Sequence, residues 1–264
     1  MTIISTLMKK LWKIIDIIDI RLSTILVLVL ATIFGFVKPM LQMFFIALIH
    51  EVCHLIVCLI LKVKIEKFSI LPFGVALHIN EVENISSVKQ ILIYLAGPLS
   101  IFINLPWIVL LFNNGYINEI NYQFLFRINI VMCVVNLIPI YPLDGYMIVK
   151  ALLQLFFPYK NSLKISIIIS LLFLVVFIGY NFISFQPMIT SFLILEQIKH
   201  IVNYKNLYRK FLVYKSFLRK QKKYKVIDNY QMYKDCNNYK IENEKILNDV
   251  DIATKELKNM IINE

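Results

Sequence analysis

Long runs of apolar residues dominate this chain and constrain its fold more than any other feature. Of its 264 residues, 59% are apolar and only 17% are charged, which is more apolar surface than a soluble domain of this size can bury. A helix needs about 20 apolar residues to cross roughly 30 Å of hydrocarbon. Six runs approach or exceed that length: Leu22–Val37, Met40–Leu61, Ile91–Phe112, Tyr122–Leu143, Ile165–Phe185 and Pro187–Val202. The sequence therefore predicts an all-α polytopic membrane protein with about six transmembrane helices.

Differences in composition along the chain suggest three parts. Residues 1–21 are interrupted by charged side chains and predict a helix lying at the membrane interface, residues 22–202 hold the six spans, and residues 203–264 form a basic tail. After the second span, Val63–Ile70 and Val75–Val82 are rich in β-branched and apolar residues and are separated by a turn that contains Pro and Gly. We expect them to form a short membrane-associated β-hairpin.

The net charge is +11, and the distribution of the basic residues along the chain matches the predicted topology. Lys and Arg gather in alternate connections and in the tail, and this bias places both termini in the cytoplasm. Because the charge reports topology, we expect no direct binding of nucleic acid. The start of the tail, Lys205–Lys225, has nine basic residues interleaved with aromatic ones. Each basic residue near an anionic leaflet contributes about 1 kcal/mol, so the tail is predicted to bind anionic lipid.

One apolar run contains an HExxH motif, His50-Glu51-Val52-Cys53-His54. On a helix, residues four apart point the same way, so His50 and His54 can bind one metal ion. Ionisable groups in mid-span cost at least ~2.5–3.5 kcal/mol each on insertion scales, so three within five residues indicate a function. We predict one zinc ion per chain, with Glu51 as the catalytic base that accepts a proton from water.

A zinc ion held by two histidines needs a third protein ligand, commonly a carboxylate. Asp144 is the best candidate, because Pro139 and Pro142 should unwind the end of the fourth span and let its carboxylate turn back. Asn136 is suited to bonding the carbonyls that the prolines leave free. His54 lies about 10 Å from the cytoplasmic end of its span, and Asp144 lies at the cytoplasmic end of another. Both are thus predicted in the same half of the bilayer.

The motifs His50-Glu51-Val52-Cys53-His54 and Asn136–Gly145 together resemble the site-2 protease family of intramembrane zinc metalloproteases, and Ala96–Leu99 resembles that family's Gly-Pro motif. The resemblance implies hydrolysis of a peptide bond in or near the membrane segment of a membrane-associated protein. We expect substrate contacts at Asn136, Pro139 and Pro142. The compact layout is similar to the family's sporulation members, which implies a sigma factor precursor as substrate, membrane-protein inhibitors as partners, and a bacterial membrane on the mother-cell side of the forespore.

Other interpretations remain open at the level of sequence. The substrate is, in one alternative, another membrane-anchored regulator. A membrane metal transporter would also place His and acidic residues in spans, although repeated halves are usual in transporters and none is visible here. An inactive substrate-binding relative is disfavoured by the intact Glu51 and metal set. His200, near the end of the last span, is expected to have no part in binding zinc.

Overall fold

The computed structural model describes residues 18–20, 29, 32–71, 74–79, 84–184, 187–217, 223–242 and 245–262. Most of them are helical. The helices in chain order are α1 (Val37–Ile60), α2 (Ser87–Ala96), α3 (Ile101–Asn113), α4 (Glu119–Leu137), α5 (Asp144–Phe156), α6 (Tyr159–Ser184), α7 (Pro187–Val202), α8 (Tyr204–Ser216) and α9 (Asp249–Ile262). A 3₁₀ turn, Pro98–Ser100, joins α2 to α3.

Within the described ranges, four helical stretches are long and apolar enough to cross a membrane. They are Val37–Ile60, Ser87–Asn113, Glu119–Leu137 and Tyr159–Gly179, and they correspond to the second to fifth predicted spans. The chain is therefore an integral membrane protein. The first predicted span falls largely outside the described residues, and the sixth forms α7, which has only 16 residues. Six spans and the orientation of the termini stay predictions.

Contacts divide the chain into two compact units, the first drawn from residues 1–80 and 95–135 and the second from residues 81–94 and 136–264. In the first unit, β1 (Ile18–Ile20), β2 (Ile65–Leu71) and β3 (Gly74–Ile79) form a sheet in that order. β1 pairs parallel with β2, and β2 pairs antiparallel with β3. The helix predicted for the N-terminal segment is thus wrong at Ile18–Ile20, which form a strand. Association of the sheet with the membrane stays a prediction.

The second unit contains a folded core built largely from the tail. Stacked rings of Tyr159 and Phe211, with centroids 4.0 Å apart, lie at its centre. The other buried members come from α6, α8, α9 and the intervening loop: Leu163, Ile167, Tyr208, Leu212, Ile227, Met232, Ile252 and Ala253. Tyr208 and Phe211, which the sequence suggested for membrane contact, are therefore core residues. The predicted boundary at residue 203 stays a prediction, although this core draws on both sides of it.

Two short strand pairings complete the tail. Strand β5 (Asn237–Glu242) pairs parallel with β4 (Tyr224–Val226) and antiparallel with β6 (Lys245–Leu247). Apolar residues recur at helical spacing from Ile246 to Met260, which predicts a helix over this segment. The structure has that helix only from Asp249 onward, as α9, and Ile246 lies in β6. Hairpin pairing with β5 replaces the helix at that end of the segment.

A buried ion pair joins α8 to α9. The Lys215 ammonium is 3% exposed and lies 3.3 Å from an Asp249 oxygen, and it also donates to the carbonyl of Cys236. The other Asp249 oxygen accepts from the backbone and side-chain N–H groups of Asn238. Burial lowers the pKa of Lys215, and the Asp249 charge opposes that effect. The tail thus supplies a carboxylate as the partner of this buried lysine.

Removing that carboxylate should unfold the tail more readily than removing the lysine. Asp249→Ala leaves a buried ammonium without its counter-charge, which costs about 3–5 kcal/mol, whereas Lys215→Met leaves the more exposed Asp249 carboxylate with its two hydrogen bonds from Asn238. We expect limited proteolysis of the full chain in detergent to cut the tail of Asp249→Ala much faster than that of Lys215→Met. Asp228→Ala, at an exposed carboxylate, is the matched control. Equal protection of Asp249→Ala and this control would contradict the pairing.

Candidate metal centre

Helix α1 carries the HExxH motif and is well defined at both ends. Pro39 lies in its first turn, where the missing N–H removes no intrahelical bond. At the other end Lys62 adopts the left-handed conformation, with φ of 54°, and its N–H donates to the carbonyl of Leu59 while the N–H of Val63 donates to that of Cys58. This pattern satisfies the last carbonyls of the helix. An unbroken helix therefore runs through the motif.

The two histidines of the motif meet on one face of α1, as their spacing predicted. His50 and His54 are 4% and 5% exposed, and their Nε2 atoms lie 3.2 Å apart. Two nitrogens that bind one tetrahedral zinc ion at 2.0–2.1 Å are about 3.3 Å apart. Ligand atoms of His50, Glu51 and His54 all fall within 4.8 Å of one another. The pair thus fits a shared zinc ion.

Gly97 lies directly against the histidine pair. A Cβ at this position would lie 2.5 Å from the Nε2 of His50 and closer still to that of His54. The following 3₁₀ turn, Pro98–Ser100, also contacts α1. Only glycine leaves room for both imidazoles here, so the Gly-Pro motif forms one wall of the metal centre.

The predicted third ligand lies in the second unit, in a turn between two helices. Helix α4 ends at Leu137, and α5 begins at Asp144. Pro139 and Pro142 both lie in the intervening turn, as the sequence predicted, and the Tyr141–Pro142 bond is cis. At Gly145, a Cβ would lie against the carbonyl oxygens of Leu137 and Ile138. The turn folds tightly over the start of α5, and the half-buried Asp144 is its last residue.

The predicted site residues thus fall into two groups. The structure brings His50, Glu51 and His54 together, whereas Asn136, Pro139, Pro142 and Asp144 lie in the second unit. Joint binding of one metal ion by both groups stays a prediction. Sequence reasoning missed the contact between Gly97 and the histidines, since a spacing along one helix does not report what packs against it.

Sequence reasoning also missed a set of polar side chains around the Asp144 turn. These residues are Tyr141, Tyr146, Ser166, Ser170, Gln197 and His200. The spacing of polar residues in the sequence could have indicated this set. Ser166 and Ser170 lie four residues apart in one apolar run, and Gln197 and His200 lie three residues apart in the next. Such spacing puts each pair on one face of its helix.

Comparison with known proteins supports the family resemblance seen in the HExxH and Gly-Pro motifs. No family model matches the chain. It is 28% identical over 141 residues to Stage IV sporulation protein FB of Bacillus subtilis, covering 53% of this chain and 48% of that protein. It is 35% identical over 123 residues to a zinc metalloprotease of Methanocaldococcus jannaschii, covering 45% of this chain and 35% of the relative. The chain thus spans about half or less of these relatives.

A solved structure extends the likeness to the fold. The site-2 protease from Methanocaldococcus jannaschii matches with a TM-score of 0.53 and 25% identity, covering 69% of this chain and 89% of the other. Buried HExxH histidines in an apolar, membrane-length helix place the chain in the class of integral membrane proteins with a candidate metal site inside a span. The relatives narrow that class, because the chain is similar to a zinc metalloprotease and to a solved site-2 protease.

Gly97→Ala should remove metal binding. The added methyl group would occupy the space of the imidazole nitrogens, so at least one histidine must leave its position. We expect the purified variant in detergent to hold much less than one zinc per chain by elemental analysis. Gly179→Ala is the matched control, because a Cβ at Gly179 meets no atom within 4 Å. Full zinc occupancy in Gly97→Ala would show that the histidines are not packed as described.

Proposed function

We propose that this protein is an intramembrane zinc metalloprotease that hydrolyses a peptide bond in or near the membrane segment of a membrane-associated protein. The observation that carries the proposal is the buried pair His50 and His54, 3.2 Å apart at Nε2, with Glu51 between them in an apolar helix long enough to span the bilayer. A buried ionisable set in such a helix indicates a functional site. Similarity to a zinc metalloprotease and to a solved site-2 protease supports the choice of reaction.

Three side chains would hold the zinc ion in this proposal. His50 and His54 supply two nitrogens from one face of α1, and Asp144 supplies a carboxylate oxygen, which matches the His₂-carboxylate ligand sets of catalytic zinc sites. Zinc held by these residues would lower the pKa of a bound water to near 7 and would polarise a carbonyl group. The unwound backbone before Asp144 supports its inclusion, because the short turn frees this carboxylate from the preceding span.

Glu51 is the general base. It follows His50 directly in α1, and its carboxylate lies within 4.8 Å of the histidine nitrogens. In peptide hydrolysis it accepts a proton from the attacking water and later delivers that proton to the leaving amine. His50 and His54 orient the reacting groups and keep the site sheltered, since both are almost fully buried.

A substrate helix must unwind before its carbonyls can be attacked, and the β-sheet offers a place to hold the extended segment. Among the described residues, β3 pairs only with β2 and is therefore an edge strand. It also contacts α1, the helix with the metal motif. An extended peptide can add to such an edge through main-chain hydrogen bonds. Asn136, Pro139 and Pro142 are proposed to contact substrate at the turn.

The substrate we favour is a sporulation sigma factor precursor. The motif layout implies this, and the similarity to Stage IV sporulation protein FB supports it; another membrane-anchored regulator is the alternative. Positive charge in the predicted cytoplasmic connections supports cytoplasmic termini and binding of the tail to anionic lipid. With a sporulation substrate, the protein would lie in the mother-cell membrane around the forespore and would be inhibited by other membrane proteins.

Glu51→Gln should abolish cleavage and leave zinc in place. The amide is nearly isosteric with the carboxylate but cannot accept the proton, so we expect a loss of at least about 100-fold in turnover. The measurement is co-expression with a candidate sigma factor precursor, with zinc content determined on the same purified protein. Glu119→Gln, an equivalent change at the start of α4, should cleave normally. Wild-type cleavage by Glu51→Gln would disprove the assignment, and zinc uptake by sealed vesicles without cleavage would favour a transporter.

Asp144→Ala should weaken zinc binding. A missing third ligand leaves two histidines, and we expect the purified variant to lose zinc to a chelator at least about tenfold faster than the wild type. The check is a chelator competition in detergent, with His54→Ala as the reference for a lost ligand. If Asp144→Ala retains zinc as the wild type does, the third ligand lies elsewhere.

A further inference from the structure

Two buried polar side chains on α7 have no role in the proposed chemistry. Gln197 and His200 are 1% and 6% exposed, in a helix whose other residues are mostly apolar. They lie three residues apart and share a face with the buried Leu193. Polar groups in such helices are costly unless they have partners. Their partners are therefore the guide to what they do.

Gln197 is tied to the turn that precedes Asp144. The backbone N–H of Tyr141 donates to Ser170 Oγ at 3.0 Å, and Ser170 Oγ donates to Gln197 Oε1 at 2.8 Å. Ser170 lies on α6 and is fully buried. A chain of two hydrogen bonds thus fixes the backbone of the turn to α6 and α7.

His200 is held between two tyrosines that flank Asp144 in the sequence. Its ring stacks on that of Tyr141, with centroids 4.1 Å apart and planes 11° apart. Its Nε2 forms a hydrogen bond with the hydroxyl of Tyr146 at 2.5 Å, and that hydroxyl also lies 3.2 Å from Ser166 Oγ. Tyr141 comes three residues before Asp144 and Tyr146 two residues after it. Both ends of the segment that carries the carboxylate are therefore fixed to one imidazole.

An apolar contact supports the same segment from within the turn. Ile140 is fully buried against Leu174 of α6 and Leu193 of α7. Apolar packing of this kind supplies stability, but it does not require the serines, the amide and the imidazole that surround it. Hydrogen bonds fix orientation more narrowly than packing does, because they depend on angle as well as distance.

We infer that His200 is a positioning residue which, together with Gln197, holds the Tyr141–Tyr146 segment so that the Asp144 carboxylate is presented for metal binding. The inference rests on the proposed role of Asp144 as a zinc ligand. His200 itself binds no zinc in this scheme. Groups that orient a metal ligand typically change metal affinity or activity by 10–100-fold when mutated, and a functional group must be held to within about 0.5 Å.

The test removes polar contacts and keeps the rings. Tyr146→Phe deletes the hydroxyl that bonds His200, and His200→Phe keeps an aromatic ring against Tyr141 but deletes the nitrogen. Both should lose zinc to a chelator about tenfold faster than the wild type. They should also shift the absorption bands of the cobalt-substituted protein and lower kcat with little change in KM. His200→Gln, whose amide can again bond the Tyr146 hydroxyl, should recover part of the loss.

Tyr208→Phe is the matched control. It deletes another buried tyrosine hydroxyl, which donates to Glu256 in the tail core, so it should cost similar stability. If His200 and Tyr146 had only a structural role, this control and Tyr146→Phe would behave alike in every assay. We expect Tyr208→Phe to match the wild type in zinc retention and in the cobalt spectrum.

The outcomes separate this inference from the proposed function. Wild-type zinc retention and cobalt spectra in both Tyr146→Phe and His200→Phe, with Asp144→Ala altered, would overturn the positioning role and leave the protease assignment standing. An unaltered Asp144→Ala would overturn the inference together with the ligand on which it rests. Zinc loss in all three variants without cleavage of any substrate by the wild type would support the positioning role and count against the protease.

Discussion

The structure depends on a single constraint, which is that a polar group inside an apolar helix must have a partner. His50 and His54 satisfy it by meeting at one point, with Nε2 atoms 3.2 Å apart on a helix whose other residues are largely apolar. In water the two imidazoles would be solvated separately, and their spacing would mean little. Burying two imidazoles within a bilayer is unfavourable. A metal ion or a comparable partner would explain why this helix contains both histidines.

The same constraint explains what surrounds the histidines. Close approach of backbone to a metal ligand requires a residue without a side chain, and Gly97 fills that requirement. In the second unit, Gly145 leaves room for the carbonyl groups of Leu137 and Ile138, where the turn folds back over the first residues of α5. At both places a single methyl group would displace functional atoms. Glycine is used here for space, since neither residue is among those with positive φ.

The sequence predicted features that depend on neighbouring residues, and it did not predict those that depend on residues far apart in the chain. The HExxH pair and the unwinding at Pro139 and Pro142 follow from periodicity and backbone chemistry within a few residues, so the sequence predicted them. The strand at Ile18–Ile20 depends on pairing with residues some fifty positions away, which no local pattern reports. The same reason explains why Tyr208 and Phe211 were predicted at the membrane surface and lie in a core.

The tail illustrates how composition can mislead when structure is long-range. Nine basic residues in Lys205–Lys225 predicted a lipid-binding segment, yet Lys215 is buried beside Asp249 and Lys225 lies over the ring of Tyr233 at 3.5 Å. A lysine that neutralises a core carboxylate contributes nothing to attraction by an anionic leaflet. The electrostatic contribution of this segment must therefore come from its remaining cations, such as Lys210 on α8. Because α8 packs against α9 in a folded core, tertiary structure and not charge count alone determines which of these cations lie at the surface.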